Sequence, residues 1–402
     1  MRRLSLLLFA AGPAWAQLPQ NVTLDDMLRI VEQSPRVAVS QRETDIARAE
    51  RAAAGAFANP TLSLGRSNAA SGERTIFDAN SQQQATVELP VPIFGQRGAR
   101  VRAADLQVGR AESQLRLTLN ETKRLAGLEF IRLAAAQETL AARRAALADV
   151  ERIRGIVAGR QASGMASRYD LARADAERAL VNLAVQKALN ELNEHSAALA
   201  ALVDAPGWRP QPAAGLDQLL AQLGDAEADI AGNAALRVAR DETAAAEARV
   251  ALARRERYPV PSLQFGRTWT SGPFGAANFF GVASEIPILD TRRALEDKAI
   301  AEHGAARERE RAATATVLAE YQKQREALAV RKEALARFER DVFDRQSTFL
   351  EMAESAYRLG RGTLFELLDA RRTQLEATLA HTELLGAIAE TQLELRALSG
   401  AL

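Results

Sequence analysis

The residues best placed to do chemistry flank two glycine turns. Asp170 follows the first turn, and Glu366 and Asp369 follow the second. Carboxylates in the first turn of a helix stabilise its positive end by about 0.3–1 kcal/mol. His195, His303 and His381 stand apart in helical segments, so packing or surface roles suit them better than metal ligation. Cysteine is absent, which excludes disulfides, thiolate metal sites, thiol catalysis and a lipidated N-terminal Cys. There is no His-Glu-x-x-His, no phosphate-binding Gly-x4-Gly-Lys and no Gly-x-Ser-x-Gly. Gly360-Arg361-Gly362 lacks the third glycine and the preceding strand of a dinucleotide fingerprint. The sequence predicts no enzyme, no cofactor and no metal site.

The elements that must position these residues are legible in composition and proline placement. Of 402 residues 47% are hydrophobic but only 5% aromatic, so the apolar share is mostly aliphatic. Lys and Arg number 52 against 51 acids, a balance that argues against nucleic-acid binding. Arg2 and Arg3, a short apolar run and Ala14-Trp15-Ala16 form the layout of a secretory signal peptide over residues 1–16. The apolar run is too short to span a membrane, which takes about 20 residues. Residues 225–229 are acid-rich and read as a solvated face.

Positions 93–205 and 288–402 hold no proline and are rich in Ala, Leu, Glu, Arg and Gln, which favours long helices. Leu119, Ala126, Leu133, Leu140 and Leu147 are spaced by seven, as are Tyr321, Leu328, Leu335, Val342 and Phe349; a sustained 3.5-residue period implies helices packed as coiled coils. Each run breaks at glycine, giving a long helix, a tight turn and an antiparallel return. Residues 96–159 would extend about 95 Å and residues 291–359 about 100 Å. Between the helices, 60–92 and 260–288 show period-2 alternation bounded by Pro, Gly, Asn and Ser, the mark of paired strands.

The halves repeat. Pro92-Ile93-Phe94-Gly95-Gln96-Arg97 aligns with Pro287-Ile288-Leu289-Asp290-Thr291-Arg292, and Gly164, Ser167, Asp170 and Leu171 align with Gly360, Thr363, Glu366 and Leu367. We therefore expect one internal duplication. The first repeat covers 17–203, with its tip at about 160–168. A linker covers 204–232. The second repeat covers 233–402, with its tip at 360–363. Four strands are too few to close a barrel within one chain, since single-chain outer-membrane barrels start at about eight, and only a closed barrel satisfies every backbone group in lipid. Several copies pooling their strands is the economical solution. The fold class expected is mainly α with a membrane β-barrel portion: long antiparallel coiled-coil helices and four strands per chain.

Taken together, these stretches resemble the TolC family of outer-membrane efflux channels. Thr23-Leu24-Asp25 with Ser34-Pro35-Arg36 is similar to the family's opening helix, and 90–97 to its strand-to-helix junction. Residues 357–371 and 164–173 resemble its two periplasmic tips. The resemblance covers essentially the whole mature chain. It implies a homotrimer with a twelve-stranded barrel in outer-membrane lipid, an α-helical tunnel in the periplasm, a periplasmic adaptor (membrane fusion protein) and an inner-membrane RND-type pump. The short Phe94-Gly95-Gln96-Arg97 junction is closer to the heavy-metal, CzcC-like branch. Many members carry a lipid-modified N-terminal Cys; this chain has none, which leaves anchoring to the barrel.

By this resemblance Asp170, Glu366 and Asp369 line the periplasmic aperture, where three-fold symmetry would turn each into a cation-favouring ring; simple capping is the alternative. Gly164, Met165, Ser167, Arg168, Leu359, Gly360, Arg361 and Thr363 become adaptor-contact tips, or turns with a purely conformational role. Trp269, Phe274, Phe279 and Phe280 become a membrane aromatic girdle, or sheet packing. The function implied is passive export of metal cations or drugs from periplasm or pump to the exterior. The rival is a periplasmic coiled-coil adaptor or structural protein of an export complex.

Overall fold

The computed structural model describes residues 18–68, 81–224, 230–271 and 275–402. The predicted signal peptide, Phe274 and the acid-rich 225–229 lie outside the described residues. Among the described residues two units follow from the packing, one within 18–39, Leu117–Ala234 and Thr316–Leu402, the other within Ser40–Arg116 and Ala235–Ala315. Each unit draws on both predicted repeats.

The first unit is helical. Short strand β1 (Asn21–Val22) pairs in parallel with β4 (Gln211–Pro212). Helix α1 (Leu24–Ile30) is followed by α2 (Pro35–Ala54), most of which belongs to the second unit. The single helix α3 (Gln96–Ala162) agrees with the predicted 96–159, and α4 (Arg168–Leu202) returns from its tip. Heptad residues Ala126, Leu133 and Leu140 are buried, as the 3.5-residue period requires. Phe130, Ile131 and Leu133 pack with Met27, Leu199 and Leu393 in the main core. The predicted linker is partly core: α5 (Leu216–Leu223) buries Leu216, Leu219 and Leu223, and Trp208 Nε1 donates to the Pro19 carbonyl at 2.9 Å. Glycine at its N-cap offers α5 no side-chain acceptor. Glu138 of α3 supplies one, accepting from the Leu216 amide at 2.8 Å, so a helix end is capped from a distant element.

The second predicted long helix, 291–359, is corrected. It divides into α7 (Arg293–Asp341), a 3₁₀ turn at Phe343–Arg345 and α8 (Gln346–Arg358), before α9 (Leu364–Ser399). Val342 leaves helical geometry at φ −125°, ψ −58°. Asp, Val and Phe are weak helix formers, and the break lets the Phe343 ring stack on His381 of α9, 4.1 Å between centroids and 16° between planes. His381 Nε2 also lies 2.9 Å from Glu339 Oε1.

The second unit carries the sheet. Strands β2 (Thr61–Asn68), β3 (Ser81–Pro90), β5 (Ser262–Thr270) and β6 (Ala276–Ala283) form one antiparallel sheet in the order β2-β3-β5-β6. The two predicted strand pairs are thus joined through β3 and β5, with Leu89 opposite Leu263. Helix α6 (Ala234–Glu256) leads into β5.

Candidate functional site

Both helical tips use one construction. At the end of α3, the Met165 amide donates to the Arg160 carbonyl at 2.8 Å and the Gly164 amide to Gln161 at 3.0 Å. Gly164 has φ +75°, a conformation that costs glycine little. At the end of α8, Arg361 donates to Ala356 at 2.9 Å and Gly360 to Tyr357 at 3.1 Å, with Gly360 at φ +69°. This is the same paired closure of a helix C-terminus twice. Each turn then opens a helix through a capping box. The Asp170 amide donates to Ser167 Oγ at 3.0 Å while the Ser167 amide donates to Asp170 Oδ2 at 3.0 Å. Glu366 and Thr363 repeat the exchange at 3.2 and 2.9 Å.

Capping therefore occupies two of the three singled-out carboxylates. Hydrogen bonds from the Ser167 hydroxyl, then from its amide, hold the Asp170 carboxyl below the usual aspartate value. Asp369 makes no cap; it is exposed and adds to the field that raises Arg372, after the main contribution from Glu177 at 2.8 Å.

Behind the turns Ile153, Val157, Tyr357, Leu364, Leu367 and Leu368 form a buried cluster that joins the two tips. The Arg160 guanidinium lies 4.5 Å from the Tyr357 ring centroid, and that of Arg173 lies 4.8 Å from Phe365. In contrast Met165 and Leu359 are 74% and 70% exposed. Sequence reasoning missed a nearby ionic network. Arg371 donates to Asp149 at 2.6 Å and to Glu354, while Arg152 donates to the same acids at 3.0 and 3.4 Å. The acids lie on α3 and α8, and no spacing along one helix reveals that meeting.

The sheet has two unlike faces. Directly opposed residues share a face, so Leu62, Val87, Phe265 and Phe280 form one apolar row, and Leu89, Leu263 and Val282 another. All are exposed, Phe280 at 80%. Phe265 and Phe280 meet edge-to-face at 5.1 Å. Trp269 shares this face, with Arg267 5.5 Å from its ring. The reverse face presents rows such as Gly65, Gln84, Thr268 and Ala277. The expected girdle residues divide between the two faces. Phe279 neighbours Phe280 on the strand, so the pleat turns it to the polar face. There its ring covers Gly266, where an added Cβ would come within 2.0 Å of it. Strands β2 and β6 are the free edges of the sheet.

Among the described residues no group of acids or histidines could hold a metal, and no helix is long and apolar enough to cross a membrane. His195 Nδ1 lies 2.9 Å from Glu129 Oε2.

Residues 227–401 match the family model described as outer membrane efflux protein. Solved structures extend the likeness in fold to nearly the whole chain. VceC from Vibrio cholerae is 18% identical, with 94% of this chain and 96% of that one covered at a TM-score of 0.76. CusC is also 18% identical, covering 98% and 95% at 0.74. The CmeC outer membrane channel of Campylobacter jejuni is 14% identical, covering 94% and 86% at 0.78. No curated protein sequence matches.

Proposed function

We propose that the chain is one protomer of a homotrimeric outer-membrane duct that exports metal cations or drugs, energised by an inner-membrane RND-type pump through a periplasmic adaptor. The observation that carries this is the one-sided open sheet. Exposed Leu62, Leu64, Phe265, Phe280 and Val282 gain in hydrocarbon what they lose in water, yet two free edges cannot enter lipid unpaired. Three copies joined edge to edge close twelve strands around a polar lumen. The family match over 227–401 supports the same reading.

The matching tip construction supports an internal duplication. The exposure of Met165 and Leu359 supports the tips as the adaptor surface, with Ser167, Arg168, Arg361 and Thr363 beside them. Asp369, with Asp170 and Glu366, supplies the aperture charge. Trp269 and Phe280 are the lipid-facing aromatics. The short Phe94–Arg97 junction supports the heavy-metal branch. No covalent chemistry is involved.

The test is an outer-membrane fraction run on denaturing gels with and without boiling. Trimers that dissociate on heating support the duct; a soluble monomer overturns it.

A further inference from the structure

The apolar surface continues past the ends of the strands. Ile93 and Phe94 follow β3, and Ile286, Ile288 and Leu289 follow β6, all exposed. Phe94 stacks on Tyr258 at 5.5 Å. Guanidinia begin immediately beside them. One cleft of about 670 Å³ is lined by Ile93, Phe94, Arg102 and Arg255 and holds no acid. A neighbouring cleft of about 720 Å³ holds Arg254, Arg255, Arg257, Tyr258 and Glu296. Arg255 lines both. Glu296 is fully engaged, accepting from Arg254 at 3.1 Å and Arg257 at 2.7 Å. Arg102 and Arg255 are exposed and have no ion pair among the described residues.

Unpaired guanidinia beside exposed hydrocarbon suit a molecule with a phosphate head and apolar tails. A guanidinium binds phosphate through a two-pronged fork, and an exposed tyrosine on an aromatic partner suits the headgroup level of a bilayer. We propose that Arg102 and Arg255 form a binding site for the headgroup of an anionic phospholipid, whose acyl chains lie over Ile93, Phe94 and the apolar face of the sheet. The proposal rests on the reading that this sheet stands in a bilayer. It assigns the site to the leaflet on the helical side.

The full-length protein, purified in detergent and stripped of lipid, is incubated with phosphatidylglycerol or phosphatidylcholine and examined by native mass spectrometry. The unaltered trimer should retain phosphatidylglycerol in preference. Arg102→Gln with Arg255→Gln should reduce that retention by on the order of tenfold or more, the paired Lys variant should restore part of it, and Arg267→Gln at the far end of the sheet should leave it unchanged. Equal retention by the double Gln variant, equal retention of both lipids, or complete displacement by millimolar inorganic phosphate would each overturn the lipid site. A protein that never enters detergent micelles would overturn the bilayer reading as well, and the heating gel reports that failure separately.

Discussion

Ser167 and Thr363 each cap a returning helix: the hydroxyl accepts an amide of its first turn, and the residue's own amide donates to the acid three positions on. At Ser167 the hydroxyl also donates to Asp170 Oδ2 at 2.7 Å. Ser167→Ala and Thr363→Val should each cost about 1 kcal/mol, read as a lower denaturation midpoint, with trimers still forming. Trimer loss would mean that the turns govern assembly. The Asp170 carboxyl adds a pH dependence. Its folded pKa is depressed, so its contribution is complete above the unfolded-state value and disappears as pH falls through the lower folded one. Denaturation midpoints of the unaltered protein and Ser167→Ala should therefore differ more at neutral pH than under strongly acid conditions, where only the bond from the Asp170 amide to the Ser167 hydroxyl remains. A difference that does not shrink there would show the hydroxyl acting without the carboxylate.

At the level of elements, the break at Val342 and the pleat of the sheet make separate demands. Phe343 stacks on His381 where the helix is interrupted. Removing the ring by His381→Ala should cost about 1 kcal/mol and speed amide exchange over 339–347. Unchanged exchange would mean that the weak helix formers at 341–344 set the break alone. In the sheet, Phe265 and Gln264 are adjacent and face opposite ways. Phe265→Arg should block membrane insertion, at about 2–4 kcal/mol near mid-bilayer, while Gln264→Arg inserts normally. Equal insertion of the two variants would contradict a lipid-facing apolar side.

For the whole molecule the question is whether the acids at the tips act on passing ions. Asp170→Asn keeps an acceptor for the Ser167 cap while removing the charge, and Asp369→Asn disturbs no cap. Together they should lower cation selectivity in planar bilayers without loss of trimers. Unaltered current would leave Asp170 as a cap and Asp369 as a partner of Arg372.

Much of this was written in the chain. The absence of proline from 93–205 leaves helix open there, because the ring would remove a donor and clash with the preceding turn, and α3 ends within a few residues of the glycines that predicted its end. Alternation of apolar and polar residues located the four strands of the larger sheet, since a strand repeats every two residues. Other features arise only when distant segments meet. The joining of β3 to β5, the cap that Glu138 gives α5 and the ionic network of Arg371 pair residues tens to hundreds of positions apart. The stack of Phe343 on His381, across 38 positions, is of the same kind. Local propensity carries no record of such partners, because each is selected by the packing of whole helices and strands against one another.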